Sequence, residues 1–166
     1  MEWHLCAPGP SMSQELVDGL KGKRVGVVGR VFELAPWADV LVANDEEWWV
    51  KYPEAFAFKG RKFSANRIAG VEVCEPGASN LNSGTLALQA LSNLGATTIY
   101  LHGFDHHGSH YFGPYDNGLV NTPEHARLIH LRQFQGWAAM NTHVRVINCT
   151  KGSALDCFPF MEEACT

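Results

Sequence analysis

The chain has 166 residues, 46% of them apolar and 18% charged, with a formal net charge of −4. That length and balance support a sizeable core in a single domain over residues 1–166, and the mixed charges argue against nucleic acid as the main partner, since a phosphate backbone calls for a basic face. No apolar run nears the roughly 20 residues of a membrane span, and the start, MEWHLCAPGPS, lacks the basic and apolar regions of a signal peptide, so a cytoplasmic protein is expected.

The first apolar run, Trp3–Ala7, reads as a strand stopped by Pro8-Gly9-Pro10. Ser11 or Ser13 can cap a helix over Gln14–Leu20. Arg24–Gly29 is a second strand and Ala38–Ala43 a third, the latter ending at Asn44-Asp45. Glu46–Val50 is a short helix, and Ala55–Phe58 and Val71–Cys74 are short strands. Leu86, Ala87, Ala90, Leu91 and Leu94 recur at helical spacing, which predicts a helix over Leu81–Leu94 with Gly95 beyond its end. Thr97–His102 is a strand, Pro123–Met140 the longest helix, and His143–Asn148 the last strand. Five cysteines without CxxC spacing read as reduced thiols.

Strands that alternate with helices and are apolar throughout indicate an α/β fold with a mainly parallel sheet. Ligands of such sheets bind beyond the carboxyl ends of the strands. Polar residues and glycines gather at those ends here. Gly9, Pro10 and Ser11 could let a phosphate approach, or form an ordinary turn. Asn44 and Asp45 end the third strand, where a carboxylate accepts ribose hydroxyls, helps hold Mg²⁺ or caps the next helix. Asn82, Ser83 and Gly84 open a helix and could meet a ligand at its positive end or serve as a cap alone.

The richest stretch is Leu101–Pro114, LHGFDHHGSHYFGP, with four histidines, three glycines and one aspartate. Adjacent histidines without HExxH or a second ligand pair do not make a zinc site, so no zinc is expected. Gly103, Asp105, His106 and His110 are candidates for ligand contact or acid–base work. Asn148 and Ser153 would face the same rim. His4, His125, His130 and His143 fall inside elements and read as structural. Arg30 and Lys151 could pair with phosphate or be solvated charges.

In this order Pro8-Gly9-Pro10-Ser11, Asn44-Asp45, Asn82-Ser83-Gly84 and Gly103-Phe-Asp105 before His110 resemble the 6-hydroxymethylpterin diphosphokinase-like superfamily, which includes short phage-encoded members. CMP-sugar-dependent sialyltransferases are more distantly similar. The resemblance implies a three-layer Rossmann-like nucleotide-binding domain, in the host cytoplasm for a phage protein. It implies that Gly9, Pro10 and Ser11 line the phosphates. Asn82, Ser83 and Gly84 would contact the nucleotide, and Asp45, Asp105 and His110 would lie near the reacting groups or a Mg²⁺ held by Asp45 and Asp105. The chain departs from the pattern in having Ala7-Pro8 before Gly9, and it lacks the lid of the full-length enzymes.

Three functions fit. One is a nucleotide-dependent transferase moving a diphosphate or a glycosyl group, with His110 as base. The second is a non-catalytic protein that binds or sequesters a nucleotide-derived small molecule. The third is an assembly role, and an exposed apolar helix face would also allow a homodimer.

Overall fold

In a computed structural model, which describes residues 1–165, seven strands join in one sheet. They are β1 (Glu2–Cys6), β2 (Val25–Val28), β3 (Val40–Val42), β4 (Arg61–Ser64), β5 (Glu72–Val73), β6 (Thr98–His102) and β7 (Arg145–Asn148). Their order is β5-β4-β3-β2-β1-β6-β7, and every neighbouring pair is parallel. Helices α1 (Gln14–Asp18), α2 (Glu46–Lys51), α3 (Ser83–Asn93) and α4 (Glu124–Met140) connect them. The α/β class expected from the alternating pattern is what the chain adopts.

Two apolar layers sandwich the sheet. Trp3, Leu5, Val40, Val42, Ile99 and Leu101 pack toward α3 and α4, while Cys6, Val25, Val27 and Leu41 pack toward α1 and α2. Period-two alternation with both faces covered explains why these strands are apolar along their length. Leu86, Leu88 and Leu91 of α3 are fully buried, each burial stabilising by about 1.5–3 kcal/mol. Asn82 starts that helix by accepting the Thr85 N–H at 2.9 Å.

One expected strand is corrected. Residues 55–57 belong to a 3₁₀ turn over Pro53–Ala57 that Phe58 caps, with Pro53 at its start and Ala55 and Phe58 buried three positions apart. The pairing strand is β4, whose charged first half is open to solvent and whose Phe63 and Ser64 are buried. The expectation of reduced cysteines throughout is also corrected. The segment after β7 doubles back, Asn148 N–H donating to the Pro159 carbonyl at 2.8 Å, and Cys149 and Cys165 form a disulfide with Cα atoms 5.6 Å apart. Cys6, Cys74 and Cys157 are free.

Strand order fixes where a ligand can enter. From β1 the sheet extends through β2 to β5 on one side, then through β6 and β7 on the other. The chain therefore reverses direction between β1 and β6, and the crevice of an open parallel sheet lies beyond the carboxyl ends at that switch point.

Candidate functional site

A cleft of about 490 Å³ lies over the carboxyl ends of β1, β2, β3 and β6. Its floor at the switch point is a backbone contact. A Cβ on Gly9 would collide with the Asp105 carboxylate and the Gly103 carbonyl, and one on Gly103, at φ 71°, would collide with the Ala7 carbonyl. Only glycines allow these two strand ends to meet. Ser11 locks the contact: its Oγ donates to Asp105 Oδ2 at 2.8 Å and its N–H to the same oxygen at 3.3 Å. Gly9 N–H donates to the Gly103 carbonyl at 3.0 Å. Pro8 and Pro10 have no N–H, so the backbone donors of this turn are spent inside the protein.

Asn148 and Ser153 support the floor from behind. Asn148 Oδ1 accepts the Thr150 N–H at 3.0 Å, and Nδ2 donates to the Leu155 carbonyl at 3.2 Å. Thr150 Oγ1 accepts the Phe104 N–H, and the Ser153 hydroxyl donates to the Phe104 carbonyl. Neither Asn148, Ser153, Pro10 nor Ser11 lines the cleft.

At the end of β3, Asn44 is fully buried and organises the entry to α3. Its Nδ2 donates to the carbonyls of Ala78 and Leu81, both at 2.9 Å, and its Oδ1 accepts the Ala65 N–H at 2.9 Å. Its own N–H donates to Ser83 Oγ at 2.9 Å. Asn82 ties α3 to α4 through Gln133 Oε1 at 2.8 Å. Asn82, Ser83 and Gly84 reach the cleft wall. The N–H groups of Ser83 and Gly84 belong to the first helical turn, where no helical carbonyl precedes them. Asp45 takes the N-cap position of α2 without capping it through its side chain, which leaves the carboxylate facing the cleft. Asp45 is open to solvent at the mouth, yet surrounding protein atoms raise its pKa, with Glu47 adding and His130 opposing.

The histidines divide sharply. His4 and His102 form a buried pair, Nδ1 to Nε2 at 3.0 Å, behind the site. His107 is exposed. His106 lines the cleft at φ 56°, edge-on to Phe134 at 5.1 Å, and burial lowers its pKa to about 4. It is the one non-glycine residue at positive φ among those described, a conformation that costs about 1 kcal/mol or more. His110 stacks on Phe112, centroids 4.6 Å apart and planes 5° apart. Its Nδ1 lies 3.2 Å from the Gly113 carbonyl. A carbonyl can only accept, so Nδ1 carries the proton and Nε2 keeps a lone pair. Burial lowers the His110 pKa, with the Gly113 carbonyl partly opposing, so the ring is neutral at pH 7.

Trp48 and His130 line the cleft, as do Tyr115 and Arg127, two residues that the sequence pattern did not single out. Arg127 donates to the Gly108 carbonyl, drawing α4 toward the histidine loop. Arg127, His130 and Phe134 share one stripe of α4 at i, i+3 and i+7, and Phe134 is buried beneath the cleft. That spacing was a readable signal. Arg30 is committed elsewhere, forked onto Glu33 at 3.0 and 2.9 Å. Lys151 is exposed. Among the described residues, no three His, Cys, Asp or Glu side chains converge where they could hold a metal ion.

No protein-family model matches the chain, and no curated protein matches it. Among solved structures it is similar to the MAf glycosyltransferase from Magnetospirillum magneticum AMB-1, with a TM-score of 0.65 at 16% identity. The match covers 98% of this chain and 34% of that one, so the chain spans about a third of the other protein's length. At this identity the likeness is one of fold, and a fold alone does not carry a function.

Proposed function

We propose that the cleft takes a nucleotide-derived anion and that the protein is a nucleotide-dependent transferase, with glycosyl transfer favoured over diphosphate transfer. The observation that carries this reading is the meeting of the α3 N-terminus, at Ser83 and Gly84, with Arg127 in one cleft at the switch point of a parallel sheet. A helix start and a guanidinium both favour phosphate oxygens. Gly9, Pro10 and Ser11 would shape the floor below the ligand rather than donate to it, and Asn44 and Asn82 would hold the anion-facing turn.

In glycosyl transfer, the acceptor oxygen attacks the anomeric carbon and the bond from that carbon to the phosphate oxygen breaks. His110 Nε2 takes the acceptor's proton, and the electron pair leaves on the nucleotide phosphate. The α3 N-terminus and Arg127 would meet that developing charge. Asp105 would keep the floor in register beneath the reacting groups, and His106 would contact the ligand from the side.

Diphosphate transfer depends on Mg²⁺, which would supply charge neutralisation on the phosphates. The residues do not fit a protein-built magnesium cage. Among the described residues no three His, Cys, Asp or Glu side chains converge, and Asp105 Oδ2 already accepts two hydrogen bonds from Ser11. No step is derived through the metal. The same commitment of Asp105 favours a second reading, a protein that binds the nucleotide-derived molecule without converting it.

Melting the protein with nucleotide sugars and nucleoside triphosphates, with and without Mg²⁺, and analysing each sample by mass spectrometry tests both readings. A bound ligand raises Tm by linkage. A converted sugar donor supports the glycosyltransferase, and a ligand recovered intact after incubation with acceptors supports the binder. No Tm rise with any of them would defeat both.

A further inference from the structure

Trp48 is 5% exposed and lines the cleft, and its indole Nε1 has no hydrogen-bond partner. Among the described residues Trp3 Nε1 is the other buried side-chain donor in that state, and Trp3 does not reach the cleft. Leaving a buried donor without an acceptor is unfavourable, so one set in a cleft wall invites an acceptor from a ligand. The Tyr115 hydroxyl comes near Trp48, but not in hydrogen-bonding geometry with Nε1. Asp45 and Trp48 are three positions apart across the first turn of α2, which puts them on one side of it. Tyr115 joins them from the loop after β6, and all three line the cleft. Burial pushes the Tyr115 phenol up to about 12, so it keeps its proton at neutral pH.

The three groups make contrary demands. Nε1 only donates, an ionised Asp45 only accepts, and the Tyr115 hydroxyl does either. A phosphate would suit Trp48 and be repelled by Asp45. An ammonium would suit Asp45 and leave Trp48 unmatched. Hydroxyls both donate and accept, and two on neighbouring carbons can serve Asp45 and Trp48 together.

We propose that Asp45, Trp48 and Tyr115 form a subsite that reads the vicinal hydroxyls of a sugar ring joined to the phosphate bound at the start of α3. The ring is either the ribose of a nucleotide or a hexose carried on phosphate. This rests on the anion reading of the same cleft, and it adds the substrate class: a phosphorylated sugar with adjacent free hydroxyls.

Calorimetric titration separates the two claims. Inorganic pyrophosphate tests the anion site alone. UDP, CDP, ADP and GDP against their 2′-deoxy forms test ribose, and glucose 1-phosphate against inorganic phosphate tests a hexose. The subsite predicts an advantage of about tenfold for the hydroxyl-bearing partner in at least one comparison, the equivalent of one good hydrogen bond. Trp48→Phe, which keeps an aromatic ring and removes the donor, should bring that ratio toward one, with pyrophosphate binding changed less than about twofold. Because Trp48 is also packed in the core, Asp45→Asn and Tyr115→Phe give the same reading from the cleft mouth, with a melting curve to show that each variant folds. Pyrophosphate binding without any hydroxyl preference would overturn the subsite and leave the anion site standing. Absence of pyrophosphate and nucleotide binding would overturn both.

Discussion

Acidification from pH 7 to pH 5 should destabilise this protein in part through a pair of buried histidines that the fold keeps neutral. His4 and His102 are buried and share a hydrogen bond at 3.0 Å. Burial is the main cause of their lowered pKa values, from 6.5 to about 4 for His4 and to about 3 for His102, with nearby Lys23 acting in the same direction on both. Both folded values lie below the unfolded one. The unfolded chain therefore binds more protons in the window from about 6.5 down to 4, and stability falls as the pH drops through it. Above pH 5 both folded rings stay neutral, so the loss is set by proton uptake in the unfolded chain. Between pH 7 and 5 that uptake favours unfolding by a factor of about 20 per histidine, or about 1.8 kcal/mol each and about 3.5 kcal/mol for the pair. For a chain of this size that is a Tm drop of roughly 7–14 °C. Scanning calorimetry at pH 7, 6 and 5 measures it. His4→Phe with His102→Leu removes both polar partners together and should flatten the dependence by that amount. An equal loss in the double variant, or the His4 or His102 imidazole of the folded protein titrating near pH 6.5, would refute the reasoning.

Other perturbations test the floor and walls of the site. Gly9→Ala puts a methyl group against the Asp105 carboxylate and the Gly103 carbonyl. It should cost about 1–3 kcal/mol, and an unchanged Tm would mean that the strand ends do not meet as described. Asn44→Asp replaces a donor to the Ala78 and Leu81 carbonyls with a buried acceptor. A loss of about 3–5 kcal/mol in urea denaturation is expected, and a loss under about 1 kcal/mol would show that Asn44 is not the organiser of the turn before α3. The Cys149–Cys165 disulfide closes a loop across 16 positions and should contribute about 3 kcal/mol. Reductant should lower the Tm of the native chain and leave Cys149→Ser with Cys165→Ser unaffected; equal curves with and without reductant would refute that.

Much of the fold was readable because its central strands are buried on both faces. Val25–Val28 and Val40–Val42 form short apolar runs bounded by polar residues, and both are strands. β4 was hidden because Arg61 and Lys62 stand in its solvent-facing half, while the apolar Ala55–Phe58 run drew attention to a 3₁₀ turn. In the site, Gly9, Asp45, Gly84, Gly103, Asp105, His106 and His110 all reach the cleft, since strand ends and a helix start reveal themselves by composition. Arg127 and His130 did not stand out, because each sits inside a helix where the same residue types usually pack or meet solvent. Tertiary crossing of α4 over the carboxyl edge, tied by Gln133 to Asn82, brings Arg127 and His130 there. Nothing local encodes that crossing. Asn148 and Ser153 looked like rim residues because they follow a strand end. Their hydrogen bonds instead turn inward to hold Phe104 and the loop after β7.

The most direct test of the central claim is an amide chemical-shift titration of the isotopically labelled protein with UDP and CDP. Saturable shifts centred on Ser83 and Gly84, extending to Asp45, His106 and the Arg127 turn of α4, are expected. Shifts confined to the opposite end of the strands, around Lys59–Lys62, or no saturable shifts at all, would contradict it.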